Sequence, residues 1–353
     1  MAVYLFNIAL IVFWRLFLPD RKIANPRKVF CCIAAFQWIL VSGLRDWSIG
    51  ADTYEYYLAF EQVKSIPWST LIENVTEYLF QGLKIKDPGY ALLTKIFQIF
   101  FKDYQMFLVA IAVVFMVPMA MWIYKYSASP CTSFLIFSTL FYSFYAITGH
   151  RQTIATALIV FGGYEYIRNH KWVKFGVVSF VAYLIHKSSL VFVPFFFLTM
   201  ISVTPKYKKI CITAIAFISI LGNRLYGPIA LLIGYSDAQV NSTIGGADLY
   251  AALLVALSII TLYLHPRIKR YREDADFLYH ATAITLLSAL LVFQNQSLMR
   301  IQQYYSLFIM ITVPEVLNSV KREHRLLAYL AFGLVMVLYI TSNDPYYQFF
   351  WTK

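Results

Sequence analysis

Arginine side chains beside apolar segments are the first candidates for chemistry in this chain. Arg45, Arg151 and Arg300 lie in three regions that are far apart in sequence, and Tyr304 adds a hydroxyl close to the last of them. A guanidinium forms two parallel charge-assisted hydrogen bonds to phosphate and stays ionised where water is scarce. Together the three arginines could hold a pyrophosphate head group whose lipid tail stays in a bilayer. The alternative is that each arginine only anchors a helix end among the lipid headgroups.

Two histidines and one carboxylate are the candidate proton acceptors. His150 and His186 carry imidazoles, which titrate near neutral pH, and Asp52 lies among aromatic residues in the stretch GADTYEYY. We favour His186 as the base, because Lys187 and two serines follow it and could orient its ring. His150, Lys187 and Tyr304 are expected to support the site. The alternatives are that the histidines are structural and that Asp52 is simply solvated.

The composition shows which kind of fold must position these residues. Of the 353 residues, 60% are hydrophobic and only 14% are charged, whereas soluble domains carry about 25% charged residues. A water-soluble globule of this length could not bury so much apolar surface. This excludes an ordinary soluble enzyme, a disordered protein and a nucleic-acid binder, despite the net charge of +12. The sequence predicts an all-α polytopic membrane protein that forms one membrane-embedded domain over 1–353.

Apolar blocks set off by short charged clusters predict about twelve membrane-spanning helices. A span needs about 20 apolar residues, and somewhat fewer where neighbours shield its ends. The blocks that meet or approach this length are 2–18, 29–44, 105–124, 131–147, 151–167, 172–186, 187–204, 209–223, 248–265, 277–293, 299–320 and 325–341.

The basic residues predict the orientation of these spans. With both termini outside, 19 of the 30 lysines and arginines fall on six short inner loops, as the positive-inside rule expects. The outer side then carries equal numbers of basic and acidic residues. The positive charge is therefore a signal of topology and does not indicate a polyanion-binding surface.

Two outer segments are too long to be simple connections. Residues 45–104 form the largest hydrophilic stretch, and within it 89–101 is apolar but too short to span, which predicts a helix at the outer interface. Residues 224–247 form a second outer loop with another short apolar piece. Irregular backbone at membrane depth is tolerated where it lines a protein-walled cavity. We therefore expect the functional site on the outer face, where the candidate residues fall.

Common cofactor and metal motifs are missing from the sequence. It contains no Gly-rich phosphate loop, HExxH, paired CxxC or GxSxG pattern, and its four cysteines lack metal-ligand spacing. We therefore predict no metal site and no cofactor.

Five segments in order resemble the EpsG/Wzy-type bacterial polysaccharide polymerases. RDWSIGADTYEYY (45–57) is similar to their R-x(4)-G-x-D-T-x(3)-Y opening, and DPGY (87–90) is similar to their E/D-P-G-Y/F step. HRQTIATAL (150–158) resembles their R-Q-x-I-A helix, IHKSSLVFVP (185–194) their F-H-x-S-A-L segment, and LMRIQQYY (298–305) their late R-x(3)-Y element. The chain departs from the pattern at Ile185 and Ser189, where Phe and Ala are usual, and at Asp87, where Glu is commoner.

The resemblance implies a GT-C-like glycosyltransferase on the outer face of the bacterial cytoplasmic (inner) membrane. Such enzymes transfer a growing chain to a new oligosaccharide repeat unit carried on undecaprenyl pyrophosphate, and they need no sugar nucleotide or obligatory metal. By this resemblance Arg45, Arg151 and Arg300 would face the pyrophosphate, and His186 or Asp52 would activate the acceptor hydroxyl. A flippase and a chain-length regulator of the same pathway would be partners, together with membrane lipid, and nucleic acid would not.

Two other functions fit parts of the pattern. A flippase or other transporter of lipid-linked oligosaccharide would also have about a dozen spans, but its charges should lie at mid-bilayer. A membrane O-acyltransferase, or a lipid A-type ligase, would also use a histidine. The acyltransferase leaves the long outer segment 45–104 unexplained.

Overall fold

The structure is a computed structural model that describes residues 1–18, 23–82, 85–232, 247–293, 295–343 and 345–352. Within these ranges the chain is helical and contains no strand, and one antiparallel bridge joins Arg45 to Phe349. This confirms the all-α fold class. The helices are α1 Ala2–Phe17, α2 Pro26–Gly43, α3 Thr53–Ser65, α4 Trp68–Phe80, α5 Pro88–Phe100, α6 Tyr104–Tyr126, α7 Pro130–Ile136, α8 His150–Thr156, α9 Tyr164–Arg168, α10 Trp172–Ile185, α11 Phe195–Leu198, α12 Pro205–Leu232, α13 Asp248–Ile268, α14 Ala275–Val292, α15 Met299–Ser306, α16 Ile309–Asn318 and α17 Arg322–Ser342.

Among the described residues, four helices are long and apolar enough to cross a membrane, namely α6, α13, α14 and α17. Shorter apolar helices cover Ala2–Phe17, Pro130–Phe141, Trp172–Ile185, Lys187–Leu198 and Ile309–Asn318. The chain is therefore a helical membrane protein. The total of twelve spans and the GT-C-like arrangement stay predictions, because several predicted blocks are short or interrupted helices.

Two predicted spans are broken in the structure. Residues 187–204 form a 3₁₀ helix, Lys187–Phe192, and then the single turn α11, because two serines and Pro194 weaken a continuous α-helix. The block 299–320 divides into α15 and α16 around Leu307 and Phe308. The first break places the residues after His186 on an irregular segment within the bundle.

The segment 45–104, which is predicted to lie outside, folds into the helices α3, α4 and α5. Residues 89–101, expected at the interface, fall on α5, and this helix packs against α3, α4 and α10. It buries Tyr90 and Gln98 but exposes Ile99 and Phe100, and its place at a membrane interface stays a prediction. In the second outer segment, 224–247, α12 continues to Leu232, and residues 233–246 lie outside the described part of the chain.

The helices on both sides of Gly149 contain π-helical turns. After α7 the backbone is π-helical over Phe137–Phe141 and Ser143–Thr148, and after α8 it is π-helical over Ala157–Gly162. Wide turns of this kind are frequent at functional sites, and each one shifts the register of the side chains that follow. At Gly149 a Cβ would lie 2.5 Å from the Phe144 ring, so any larger residue would require that ring to shift at the connection into His150 and Arg151.

Near the start of α14, a group of polar residues forms what we call the Arg272 cluster. Arg272 makes two hydrogen bonds to Asp274, Nε to Oδ1 at 2.6 Å and Nη2 to Oδ2 at 3.0 Å. Its Nη1 also donates to Glu315 and, at 2.9 Å, to the Tyr126 carbonyl. The Tyr164 hydroxyl donates to Asp274 at 3.0 Å. All these groups are satisfied by one another, so the cluster ties together the helix ends on that side.

Candidate functional site

The sequence Asp-Pro-Gly before α5 fixes the position of Asp87. Asp87 adopts a left-handed conformation with φ 51° and ψ 57°, and Pro88 begins the helix, where its missing N–H costs nothing. Gly89 lets α5 approach α10 closely, because a Cβ there would come within 2.7 Å of the Leu184 backbone. This contact brings the Asp87 carboxylate to the end of α10, where His186 follows.

Asp87 joins three segments of the chain. Its Oδ2 accepts from Arg151 Nη1 at 2.8 Å and lies 3.1 Å from His186 Nδ1, and its Oδ1 accepts from the Lys187 backbone N–H at 3.1 Å. The side chain is 7% exposed. Burial alone would raise the pKa of Asp87, but the hydrogen bond and charge of His186, then the charge of Arg151 and the Lys187 N–H, together hold it below its ordinary value. Asp87 is therefore an ionised carboxylate.

The contact with Asp87 also determines which ring nitrogen of His186 carries the proton. An ionised carboxylate only accepts hydrogen bonds, so Nδ1 must be the donor in the contact with Asp87. In the neutral imidazole this leaves the lone pair on Nε2. Within the described part of the chain, Nε2 has no hydrogen-bond partner, and the side chain is 16% exposed. The arrangement suits a base that is oriented by a carboxylate, as in catalytic triads.

Arg151 is held by an aromatic ring as well as by Asp87. Its guanidinium carbon lies 5.4 Å from the centre of the Tyr56 ring, and Nε lies 3.4 Å from the Tyr56 hydroxyl. The same ring stacks on the His150 imidazole with 4.3 Å between ring centres and 14° between planes. The first turns of α3 and α8 thus meet at Tyr56.

Arg45 and His150 form a deeper, buried layer. Arg45 Nη2 donates to the Ile147 carbonyl at 2.9 Å and lies 3.0 Å from His150 Nε2, and Nη1 donates to the Ser42 carbonyl. Arg45 and His150 are each 2% exposed. The residues on either side of Arg45 pair with the C-terminal segment, since the Asp46 N–H donates to Gln348 and the Phe350 N–H donates to Leu44.

The helix α15 brings Arg300 to the same end of the bundle. Gln152 Nε2 donates to the Arg300 carbonyl at 2.6 Å, and Tyr304 shares a 3.0 Å hydrogen bond with Ser188. The Arg300 side chain is half-buried, and within the described ranges it has no ion-pair partner.

The pKa of Lys86 reflects the charged groups around it. The charge of Arg151, then burial and the charge of Arg300, lower the pKa of Lys86, while Asp87 and Asp52 act in the opposite direction. Arg151 and Arg300 therefore both lie close enough to Lys86 for their charges to act on it. We call Lys86, Asp87, Arg151, His186 and Arg300 the Asp87 cluster.

The predicted site residues thus divide into groups. Arg151 and His186 are joined directly through Asp87, and Tyr304 supports the segment after His186. Arg45 and His150 lie beneath them, in the buried layer. Asp52 is half-buried at the start of α3, and its link to this group is the effect of its charge on the pKa of Lys86. The Lys187 side chain is exposed.

Asp87 and Tyr56 were missed as site residues by the sequence reasoning. The DPGY motif contained the signal for Asp87, because a carboxylate directly before Pro-Gly is held rigidly at the start of a helix. Nothing in the sequence indicated that Tyr56 would contact both His150 and Arg151. Among the described residues, no three His, Cys, Asp or Glu side chains are grouped so that they could hold a metal ion.

A comparison with protein families identifies the chain. The model of the EpsG family matches residues 28–351, which is nearly the whole length. The chain belongs to the EpsG family. The match includes all five segments whose resemblance was noted in the sequence and every member of the Asp87 cluster. A search of curated proteins and a search of solved structures each found no match.

Proposed function

We propose that this EpsG-family protein is a glycosyltransferase that polymerises oligosaccharide repeat units carried on undecaprenyl pyrophosphate. It transfers the growing chain from its lipid to a new lipid-linked unit on the outer face of the cytoplasmic membrane. The observation that carries this proposal is the Asp87 cluster, in which Arg151 bonds to Asp87 next to an oriented histidine, and Lys86 and Arg300 lie within range of the same field.

The charge balance of the cluster favours a polyanion as ligand. Three cations lie around Asp87, and Asp52 adds a second acid to the same field, so the group keeps a net positive charge that a pyrophosphate can neutralise. Arg151 and Arg300 each offer a planar fork that matches phosphate oxygens. Charge that builds up on the departing pyrophosphate is stabilised by fixed cations of this kind, and such electrostatic stabilisation is often the largest contribution to catalysis.

Arg45 has a different role in this proposal from the pyrophosphate contact expected from the sequence. Its guanidinium is buried and donates to two backbone carbonyls, so it holds the ends of α2 and the π-helical turn together. This fixes His150, and through the stacked ring of Tyr56 it supports Arg151.

His186 is the proposed base. The acceptor hydroxyl oxygen attacks the anomeric carbon of the donor sugar while its proton moves to His186 Nε2. The bond from that carbon to the pyrophosphate oxygen breaks, and the electron pair leaves with the pyrophosphate. Base assistance of this kind contributes about 10² to 10⁴ in rate. Asp52, which lies at the start of α3, is the alternative acceptor of the proton.

The distribution of basic residues along the chain is the basis for the proposed orientation in the membrane. We place both termini and the Asp87 cluster on the outer side of the membrane, with the six basic loops in the cytoplasm. A flippase that delivers the lipid-linked unit and a chain-length regulator are the proposed partners.

The glycan profile of a deletion strain tests the function. Loss of a polymerase should leave single repeat units on the lipid or cell surface, whereas loss of a flippase should leave none. Loss of an O-acyltransferase should leave chains of normal length that lack acyl groups. Either of these last two profiles would contradict the proposal.

Complementation of that strain tests the site. Arg151→Lys and Arg300→Lys keep the charge but lose the fork, so each should reduce polymer yield by about tenfold or more at equal protein level. Arg224→Lys, at an exposed position on α12, is the matched control and should restore normal polymer. Normal polymer from all three variants would show that the arginines are only interfacial anchors.

A further inference from the structure

An apolar cavity lies beside the Asp87 cluster. It has a volume of about 190 Å³ and is enclosed by α12, α14, α15 and the 3₁₀ segment after His186. Its apolar lining includes Val191, Ile218, Ile284, Leu287, Leu291 and Ile301.

The two polar groups on its wall are already used within the protein. The Ser288 hydroxyl donates to the Ile284 carbonyl at 2.7 Å, and the Tyr305 hydroxyl donates to the Val191 carbonyl at 2.7 Å. A polar ligand would find no free partner on these groups and would lose its own hydration. The cavity therefore suits a hydrocarbon, and dry cavities of about 150 Å³ already take up benzene.

Two chain segments contribute residues both to the cavity and to the charged site. On α15, Arg300 belongs to the Asp87 cluster and the next residue, Ile301, lines the cavity. On the other segment, His186 contacts Asp87 and Val191 lines the cavity five residues later. A molecule with an anionic head at Arg300 and an apolar chain next to it would contact both parts at once.

We propose that this cavity binds the first part of the polyprenyl chain of the lipid-linked substrate, next to its pyrophosphate. The inference rests on the proposed function for the identity of the chain. Contact with the tail would place the pyrophosphate on Arg151 and Arg300 by intramolecular proximity, so that tail length affects binding of the donor rather than the chemical step.

Filling the cavity tests this proposal. Ile218→Trp should raise KM about tenfold for a donor with a long polyprenyl tail, the loss expected when roughly two CH₂ groups leave an apolar site. A donor that carries the same sugars on a very short prenyl tail should react as it does with the unchanged protein. Ile220→Trp, at an 81% exposed position two residues further along α12, is the matched control and should behave as the unchanged protein. An unchanged KM for the long-tailed donor in Ile218→Trp would overturn the proposal.

Photolabelling of the unaltered protein separates this proposal from the polymerase function. The probe is a polyprenyl pyrophosphate without sugars that carries a diazirine in its first isoprene units. It should label α12, α14 or α15 near the cavity, and unlabelled polyprenyl pyrophosphate should compete. Labelling elsewhere, or labelling that only bulk phospholipid displaces, would overturn the tail site. Specific labelling of a protein that makes no polymer from any donor would keep the tail site and reject the polymerase function.

Discussion

The Asp87 cluster and the Arg272 cluster both contain a half-buried or buried arginine that bonds to an acid, yet their charge balance is opposite. In the Arg272 cluster a single guanidinium meets Asp274 and Glu315, and it also donates to a backbone carbonyl. In the Asp87 cluster one carboxylate serves Arg151 and His186, while Lys86 and Arg300 lie within range of the same field.

This difference separates a cluster whose charges are paired internally from one that we propose binds a ligand. Arginine surrounded by acids has its charge fully compensated, so the Arg272 cluster has nothing to offer an anion. The Asp87 cluster carries more positive than negative charge and can stabilise a bound polyanion. The loops predicted to lie inside carry the excess of basic residues, which we interpreted as a signal of topology and not of anion binding. The local pairing of charges is the observation that distinguishes the Asp87 cluster.

The largest expected effect comes from breaking the Arg272 cluster. Arg272→Gln removes the cation that bonds to both Asp274 and Glu315 and leaves only the more distant charge of Arg168 near Asp274, which should lower the free energy of unfolding by about 3 to 5 kcal/mol. Thermal unfolding in detergent should show this loss, while the polymerisation rate per folded molecule should not change. Arg270→Gln, at an exposed position of the same loop, is the control and should unfold like the unchanged protein. A slower reaction in folded Arg272→Gln would mean that this cluster also acts in catalysis.

The second largest effect should be a lower polymerisation rate when the Asp87 cluster is altered. Asp87→Asn keeps the size of the side chain but removes the charge that orients His186 and Arg151, so we expect the polymerisation rate to fall about hundredfold. The double variant with His186→Gln should be no slower than the slower single variant, because both changes disable one base. The measurement is the initial rate of the purified protein with a lipid-linked repeat unit.

Asp103→Asn provides the control for this charge change. Asp103 is exposed and caps α6 by accepting from the Met106 N–H, so its replacement should leave the rate unchanged. Additive losses in the Asp87 and His186 double variant would show that the two residues act independently, and that Asp87 does not work through the imidazole.

Sequence reasoning predicted some features of both regions and missed others for identifiable reasons. The helix α5 and the long apolar helices were predicted, because periodicity and hydropathy are local properties of the chain. The burial of Arg45 was not, since it depends on carbonyls at Ser42 and Ile147 and on pairing of its neighbours with the C-terminal segment. The π-helical turns around Gly149 are equally invisible to hydropathy, because they change hydrogen-bond register and not composition.

The smallest expected effect is on acid stability, and both clusters should show it. The pKa of Asp274 is lowered like that of Asp87, because its hydrogen bonds to Arg272 outweigh the raising effect of burial. A carboxyl whose pKa is lower in the folded state contributes its full stabilisation above its ordinary pKa of about 4, and this is lost as pH falls through the folded value.

The unfolding temperature should therefore be steady near neutral pH and fall on acidification below about pH 4. Asp87→Asn and Asp274→Asn should each lower the unfolding temperature at neutral pH and make the further acid-induced drop smaller by a few degrees. Asp103→Asn serves as the exposed reference and should keep the full drop. Differential scanning of the purified proteins from about pH 7 to about pH 3 measures these slopes. If Asp87→Asn kept the full acid dependence while Asp274→Asn lost part of it, the pKa of Asp87 would not be lowered by folding. The stabilisation of its charge by His186 and Arg151 would then have to be abandoned.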